Sequence, residues 1–183
     1  VEVLEDARTL AEQEEVELFE NDVIYQLVEN YDDHVTAIQE AQQEQILENI
    51  TRPAKFRVLP DHTFRQNDPA VVGIEVLSGE LRRNTNVVTW DGNEPTRVGR
   101  LKSLQDEGED IDSARTGERL AASIDGPTVG RQIEEGDDLW VEIPEKHAKI
   151  LEQELKEDIS VDEREALSMY LEKQRNRDPF WGK

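Results

Sequence analysis

One loop near the C-terminal end carries the residue types that phosphate-binding sites use. The stretch "SIDGPTVGRQIEEGDDLWVEIP", residues 123–144, contains three glycines, two prolines and one arginine, and no lysine. A P-loop closes its glycine-rich turn with Gly-Lys-Ser/Thr, because the lysine reaches the terminal phosphates and the hydroxyl holds magnesium. Here Gly130 is followed by Arg131 and Gln132. The sequence therefore excludes a P-loop and leaves this loop to another kind of partner.

The other residues that could act in catalysis or bind a metal show no recognisable pattern. His34, His62 and His147 are far apart and share no zinc-ligand spacing. The chain has no cysteine, which excludes disulfides and thiol catalysis. Carboxylates are so frequent that no pair of them identifies an acid/base site. On the residues alone we expect no enzyme, no metal site and no cofactor in this chain.

The composition indicates an acidic protein that still has material for a core. The formal net charge is −22 and hydrophobic residues make up 36% of the chain. Arginine is more frequent than lysine among the cations, and such an acidic, lysine-poor composition is typical of proteins kept dissolved in molar salt. At that salt the Debye length is only about 3 Å, so acidity does not exclude an RNA partner. No apolar run approaches the roughly 20 residues of a membrane span, and we expect a cytoplasmic protein.

The chain before residue 52 predicts a domain remnant followed by a connector. Residues 1–20 have the pattern strand, helix, strand, which we interpret as the end of an incomplete α/β domain of a larger protein. Residues 21–51 form one helical pattern, with Asn21 or Asp22 as its cap. Its apolar residues recur at three- and four-residue steps: Ile24, Leu27, Val28, Tyr31, Val35 and Ile38. We expect a long, rigid connecting helix.

The chain after residue 51 predicts a barrel and two helices. Residues 52–143 contain six short strand patterns, with turns expected at Ser78-Gly79, Asn84 and Asp91-Gly92. Many short strands separated by turn residues indicate a small closed β-barrel. Residues 144–183 predict two C-terminal helices, the second with a capping box of Ser160 and Glu163, and then an aromatic tail. The predicted fold class is α+β.

The alternation of strands and glycine-containing turns in the barrel sequence resembles domain II of translational GTPases such as elongation factor Tu. The resemblance is sharper to archaeal translation initiation factor 5B, the relative of bacterial initiation factor 2. The stretches that carry it are "NDVIYQLVENY", "RPAKFRVLP", "FRQNDPAVVGIEVLSGEL", "SIDGPTVGRQIEEGD", "PEKHAKILEQELKEDIS" and "DPFWGK". They run in order along nearly the whole chain. The resemblance implies that residues 1–20 end domain III, 21–51 are the connecting helix, 52–143 are the domain IV barrel and 144–183 are its C-terminal helices.

The resemblance also implies a function. The barrel would bind the aminoacylated acceptor end of initiator Met-tRNA on the ribosome, and the full-length factor would promote GTP-dependent joining of ribosomal subunits. GTP and magnesium would bind a GTPase domain that this chain lacks. The implied tRNA-binding residues are Phe64, Arg65, Gly73, Lys102, Arg119, Gly130 and Arg131. The C-terminal helices would bind initiation factor 1A, through Ile150, Leu151, Leu155, Phe180 and Trp181.

Three alternatives stay open at the level of sequence. Arg131 could pair with Glu134 or Asp137 instead of facing RNA. Phe180 and Trp181 could pack inside the protein instead of binding a partner. The chain as a whole could be a non-catalytic protein-interaction β-barrel module from a halophile.

Overall fold

The computed structural model describes residues 5–16, 18, 24–92 and 94–183. They form two compact units, residues 1–50 and 51–183, which are described separately. The strands predicted over 1–4 and 16–19, and the helix cap at Asn21 or Asp22, lie wholly or largely outside the described residues. Within the described part of the chain, no helix combines the length and apolar character that crossing a membrane requires.

The first unit contains two helices, α1 (Glu5–Gln13) and α2 (Ile24–Asn49). The 26 residues of α2 form one uninterrupted helix, about 39 Å long at 1.5 Å per residue. This confirms the long helix predicted between residues 21 and 51. Glu40, Glu44 and Glu48 follow one another at four-residue steps, and α2 contains no lysine or arginine.

The second unit is built on eight antiparallel strands. Their bounds are β1 (Ala54–Arg65), β2 (Ala70–Arg82), β3 (Thr85–Asp91), β4 (Glu94–Asp106), β5 (Glu109–Ile111), β6 (Ser113–Arg115), β7 (Arg119–Asp125) and β8 (Asp138–Val141). Six strands follow the order β1–β8–β3–β4–β7–β2, and β2 pairs back with β1, which closes the ring. The short strands β5 and β6 pair with β4 and β2. The predicted closed barrel is confirmed.

One predicted hairpin turn is wrong. Strand β2 runs straight through Ser78-Gly79, where Gly79 has φ +91° and lies opposite Ala54 of β1. A Cβ on Gly79 would lie 2.0 Å from the carbonyl oxygen of Pro53, so only glycine fits this close approach of two backbones. Asn84, in contrast, is left-handed with φ +64°, as the turn pattern predicts.

The barrel interior holds the hydrophobic core, and the loop after β7 closes one end of it. Inward side chains of alternate strand positions make up this core, among them Phe56, Val58, Val72, Ile74, Leu101, Leu104, Ala122 and Ile124. From the loop, Ile133 is fully buried in the same core and Val129 packs against it. The glycine-rich loop at residues 126–137 therefore contributes side chains to the core as well as lying at the surface.

Helices α3 (Glu145–Gln153) and α4 (Val161–Arg177) complete the second unit. The predicted capping box is present, since the Ser160 hydroxyl accepts from the Glu163 backbone N–H and the Glu163 carboxylate accepts from the Ser160 N–H. Helix α4 packs on β1 and β2. Its buried Tyr170 hydroxyl accepts a hydrogen bond from the Ile143 N–H at 3.3 Å, which joins the helix to the chain just after β8.

Candidate nucleic-acid interface

Four neighbouring strands present a face of small side chains on the outside of the barrel. In one row across β1, β2, β7 and β4, the register aligns Arg65 with Val71, Val71 with Ser123, and Ser123 with Ser103. The next row aligns Gly73 with Ala121. Successive strand residues point to opposite faces, so these residues lie on the outer face while their neighbours fill the core, and the exposed Phe64 joins Arg65 there because the register of β1 shifts between Thr63 and Arg65. We call this face the platform, and it comprises Phe64, Arg65, Val71, Gly73, Ser103, Gln105, Ala121 and Ser123.

Phe64 is the large exposed side chain of the platform. It is 67% exposed, in β1, and lines two grooves. One groove, of about 320 Å³, is bounded by Leu59, Pro60, His62, Phe64, Gly73, Arg119, Leu120 and Ala121. The other, of about 400 Å³, is bounded by Phe64, Arg65, Pro69, Val71, Ser103, Gln105, Ala121, Ala122 and Ser123. An exposed aromatic ring beside small polar residues is suited to stacking on a nucleic-acid base.

Gly73 allows the chain of β1 to lie close over β2. An added Cβ at this position would be 2.7 Å from the Cβ of His62. The Nδ1 atom of His62 lies 2.6 Å from the carbonyl oxygen of Pro60. Because a carbonyl can only accept, Nδ1 donates, and in the neutral ring Nε2 is the acceptor. His62 and Gly73 thus shape the first groove together.

Three of the predicted RNA-binding cations are exposed and lightly engaged. The guanidinium of Arg65 donates to the carbonyl oxygen of Asp68 at 3.4 Å. Arg119 pairs with Glu75 at 3.3 Å, and the Lys102 ammonium pairs with Asp125 at 3.0 Å. Exposed pairs of this kind stabilise a protein by only about 0–1 kcal/mol. An external anion can therefore replace the carboxylate partner of Arg119 or Lys102 at little loss.

A row of alternating charges borders the platform and gives Arg119 a structural partner. The register aligns Asp138, Arg57, Glu75 and Arg119 across β8, β1, β2 and β7. Arg57 donates to Asp138 at 2.7 Å. Burial acts to raise the pKa of Asp138, but hydrogen bonds from Arg57 and Lys55 outweigh it and the pKa lies below its ordinary value. Arg119 thus ends a charge ladder and also faces the first groove.

The loop that carries Gly130 and Arg131 is anchored beside the end of β1. The Val129 N–H donates to the carbonyl oxygen of Gln66 at 2.9 Å, next to Arg65 in sequence. Gly130 has φ +85°, and the Arg131 N–H donates to Thr128 at 3.1 Å. The exposed Arg131 guanidinium takes part in none of the ion pairs among the described residues. The Asp137 carboxylate accepts instead from the Glu134 backbone N–H at 2.7 Å, so the alternative pairing of Arg131 is not adopted.

The three predicted partner-binding aliphatic residues differ in how exposed they are to solvent. Leu151 is fully buried and Leu155 is 3% exposed, while Ile150 is half-buried. A groove of about 430 Å³ runs between α3 and α4. Its lining residues are Leu151, Glu152, Lys156, Ile159, Arg164, Leu167, Ser168, Leu171, Glu172 and Arg175. Leu151 therefore contributes to the floor of an open groove, which we call the α3–α4 groove, whereas Leu155 is enclosed.

The two aromatic residues of the tail have different environments. Trp181 is half-buried, with its ring centroid 6.0 Å from that of Tyr170, and its carbonyl oxygen accepts from Arg175 Nε at 3.2 Å. Phe180 is 80% exposed, and the Lys183 ammonium lies 5.9 Å from its ring centroid. Trp181 packs internally, and Phe180 is the one that faces solvent.

Sequence reasoning missed the small residues of the platform and the role of His62. The signal in the sequence was the stretch "RLAASID" of β7, where the outward positions Ala121 and Ser123 are small. Small outward side chains on a central strand leave room for a ligand to approach the backbone. Recognising β7 as a central strand requires the strand register, which pairs β7 with β2 and β4. Local sequence patterns do not give this register.

Comparison with known proteins gives a consistent set of relatives. The family model for "Elongation factor Tu domain 4" matches residues 52–140. Over all 183 residues the chain is 84% identical to a "Probable translation initiation factor IF-2" of Haloarcula marismortui and 73% identical to that of Natronomonas pharaonis. It spans about 30% of the length of each of these relatives.

A solved structure is also similar to this chain. The crystal structure of GDP-bound aIF5B from Aeropyrum pernix matches with a TM-score of 0.70 and 35% sequence identity. The match covers 100% of this chain and 30% of that one.

Proposed function

The chain belongs to the archaeal translation initiation factor IF-2 (aIF5B) family and corresponds to its C-terminal part, and from this premise we propose that its barrel binds the aminoacylated acceptor end of initiator Met-tRNA on the ribosome. The observation that supports this most is Phe64, an exposed aromatic ring set beside a face of small residues and next to Arg65. In an acidic chain, an aromatic residue and a cation at one exposed edge suit a single-stranded nucleic acid.

The proposed contacts divide between bases and phosphates. A terminal base stacks on Phe64, and such stacking contributes about 1–3 kcal/mol per base. Arg65, Lys102 and Arg119 contact backbone phosphates, for which the planar guanidinium is suited because it donates two parallel hydrogen bonds. Arg131 joins them from the loop beside β1. Gly130 keeps the backbone open beside Arg131, and Gly73 lets His62 of β1 pack against β2 at the first groove.

This chain's part in initiation is binding, without catalysis of its own. Covering the acceptor end removes water from the methionyl ester and so slows its hydrolysis. The full-length factor, acting in the cytoplasm, promotes GTP-dependent joining of the ribosomal subunits, with GTP and magnesium bound outside this chain.

Hydrolysis of the methionyl ester tests the proposed site. We expect the chain to lengthen the half-life of initiator Met-tRNA in molar KCl, and Phe64→Ala to abolish the effect. Phe64→Tyr keeps a stacking ring and is the matched control, which should protect like the unchanged chain. Absence of any protection by the unchanged chain would favour the protein-interaction module instead.

The α3–α4 groove is the proposed site for initiation factor 1A. Its floor is apolar, with Leu151, Leu167 and Leu171, and its rim is charged. A short amphipathic segment of the partner fits such a groove. In this proposal Ile150 flanks the site, Leu155 supports its floor from within, and Phe180 and Trp181 lie on the neighbouring tail.

Filling the groove tests this assignment. Ser168 is exposed and lines the groove, so Ser168→Arg should abolish binding of a synthetic initiation factor 1A tail in a fluorescence titration. Glu165→Arg, on the exposed surface of the same helix, is the control and should bind as the unchanged chain does. Equal binding by both variants would show that the initiation factor 1A tail does not bind in the α3–α4 groove.

A further inference from the structure

Strand β4 is rich in cations on its outer side. Between Glu94 and Asp106 it contains Arg97, Arg100 and Lys102 and no carboxylate, in a chain with twice as many acids as cations. We propose that these three residues form a phosphate track, a second RNA contact that extends the acceptor-end site along the tRNA backbone. This inference rests on the proposed function and assigns a role to Arg97 and Arg100, which the sequence analysis did not identify.

The geometry of β4 places the three cations on the exterior. Val98, Leu101 and Leu104 of this strand are buried in the barrel core, whereas Arg97, Arg100 and Lys102 are exposed. At about 3.3 Å per residue, the track from Arg97 to Lys102 is about 17 Å long.

The track runs into the platform. Ser103, directly after Lys102, is aligned with Ser123, which the same register connects to Val71 and Arg65. At the other side, Arg100 is aligned with Asn86 of β3. A strand of RNA whose end lies on Phe64 and Arg65 can therefore continue outward over β4 without leaving the barrel surface.

The three cations of the track differ in whether an acidic side chain of the same molecule already pairs with them. Arg97 pairs with Glu142, and Lys102 pairs with Asp125. The side chain of Arg100 has no ion pair or hydrogen bond within the part of the chain that the structure describes, although Asp125 is its neighbour in register on β7. Asp125 is used by Lys102, so Arg100 keeps its full charge and its guanidinium donors for a phosphate.

An RNA backbone fits these observations better than an acidic protein segment. Phosphates recur along a nucleic-acid strand, which matches cations spaced along one extended β-strand. The platform next to the track offers the Phe64 ring, on which a nucleotide base stacks and an aspartate or glutamate side chain does not. We therefore assign the track to RNA phosphates.

The test measures the salt dependence of tRNA binding by fluorescence anisotropy. The KCl series is confined to concentrations at which circular dichroism shows an unchanged fold. Arg100→Gln should weaken binding of full-length initiator Met-tRNA and lower the slope of log K against log[KCl] by about one unit. Arg115→Gln, which removes an exposed arginine from β6, is the matched control and should leave the slope unchanged.

A second RNA separates this inference from the proposed function. A short single-stranded acceptor end carrying the methionyl ester reaches the platform and Lys102 but not Arg100 or Arg97, so Arg100→Gln should leave its binding unchanged. The track is overturned if the slope for full-length tRNA is the same in Arg100→Gln and the unchanged chain. It is also overturned if the short RNA is affected equally, or if polyglutamate competes as well as RNA does. Failure of the unchanged chain to bind either RNA would instead remove the proposed function.

Discussion

At the scale of single residues, the contact of Gly73 with His62 fixes the shape of the first groove. The 2.7 Å separation that a Cβ would have from His62 Cβ is shorter than real carbon contacts, so any other residue displaces His62. The displaced ring would leave the wall of the groove that also contains Phe64. Under the proposed function, Gly73 would therefore affect RNA binding through packing, without offering a side chain of its own.

Substituting Gly73 by alanine tests this contact. We expect Gly73→Ala to lower the free energy of unfolding by about 1–3 kcal/mol, the usual effect of overpacking, and to weaken RNA binding. His62→Gly removes the opposing Cβ, so Gly73→Ala should be much less destabilising in the His62→Gly background. Denaturant unfolding of the four proteins measures this coupling. Additive effects of the two substitutions would show that the contact is not the cause.

The sequence predicts the conformation of a residue when the interaction that causes it lies within a few residues along the chain. The left-handed turn at Asn84 and the Ser160 cap arise within a few residues, and the sequence predicts both. Gly79 does not form the predicted turn, because the cause of its conformation, the close approach of the Pro53 carbonyl just before β1, lies 26 residues away in sequence. The predicted site residues came from family resemblance, and the grooves around them require the strand register.

At the scale of elements, one ion pair joins the two C-terminal helices. Arg175 of α4 donates two hydrogen bonds to Glu152 of α3, and the Arg175 Nη1 to Oε1 distance is 2.9 Å. The hydrogen bonds from Arg175 hold the pKa of Glu152 below its ordinary value of 4.5, and its charge adds to the effect. Both residues also line the α3–α4 groove, so the pair sets the spacing of its walls.

The stabilisation from this pair depends on pH in a defined direction. A lowered folded-state pKa stabilises the protein above the unfolded-state value, and this contribution disappears as the pH falls through the folded-state pKa. Glu152→Gln should therefore destabilise the chain by up to about 1 kcal/mol at neutral pH, and progressively less below pH 4.5.

Thermal unfolding between pH 3 and 7 measures the effect. Glu154→Gln, at an exposed neighbouring position, is the control and should follow the unchanged chain at every pH. A constant difference between Glu152→Gln and the unchanged chain across this range would contradict the prediction.

The elements themselves were predictable where they are long and regular. The 26-residue pattern of α2 and the alternation of buried positions in β2 and β7 are strong signals. Strands β5 and β6 have three residues each, too few to show a period, and the sequence analysis missed them. The closure of β2 onto β1 is a long-range pairing that local patterns indicate only through the number of strands.

At the scale of the whole molecule, a net charge of −22 makes stability depend on salt. Like charges repel more strongly in the compact state than in the extended chain, and added salt screens this repulsion. The row Glu40, Glu44 and Glu48 of α2 concentrates the effect, because residues four apart on a helix are neighbours.

We expect the helical ellipticity at 222 nm and the melting temperature to rise with KCl up to molar concentration. In the triple variant Glu40→Gln, Glu44→Gln and Glu48→Gln, the ellipticity should depend less on KCl. The matched control replaces three exposed carboxylates of the second unit, Glu107, Glu109 and Asp110, by amides. An equal reduction in both variants would show that total charge alone matters, and not its placement on α2.

Closure of the barrel also opposes aggregation of the protein in concentrated salt. Screening that relieves repulsion inside the chain also shortens the range over which separate molecules repel one another. In the ring of six strands each strand pairs with a neighbour on both sides, which leaves fewer unpaired backbone groups for a passing chain to extend. Resistance to strand-by-strand aggregation is thereby built into the hydrogen-bonding pattern, where no ion can weaken it.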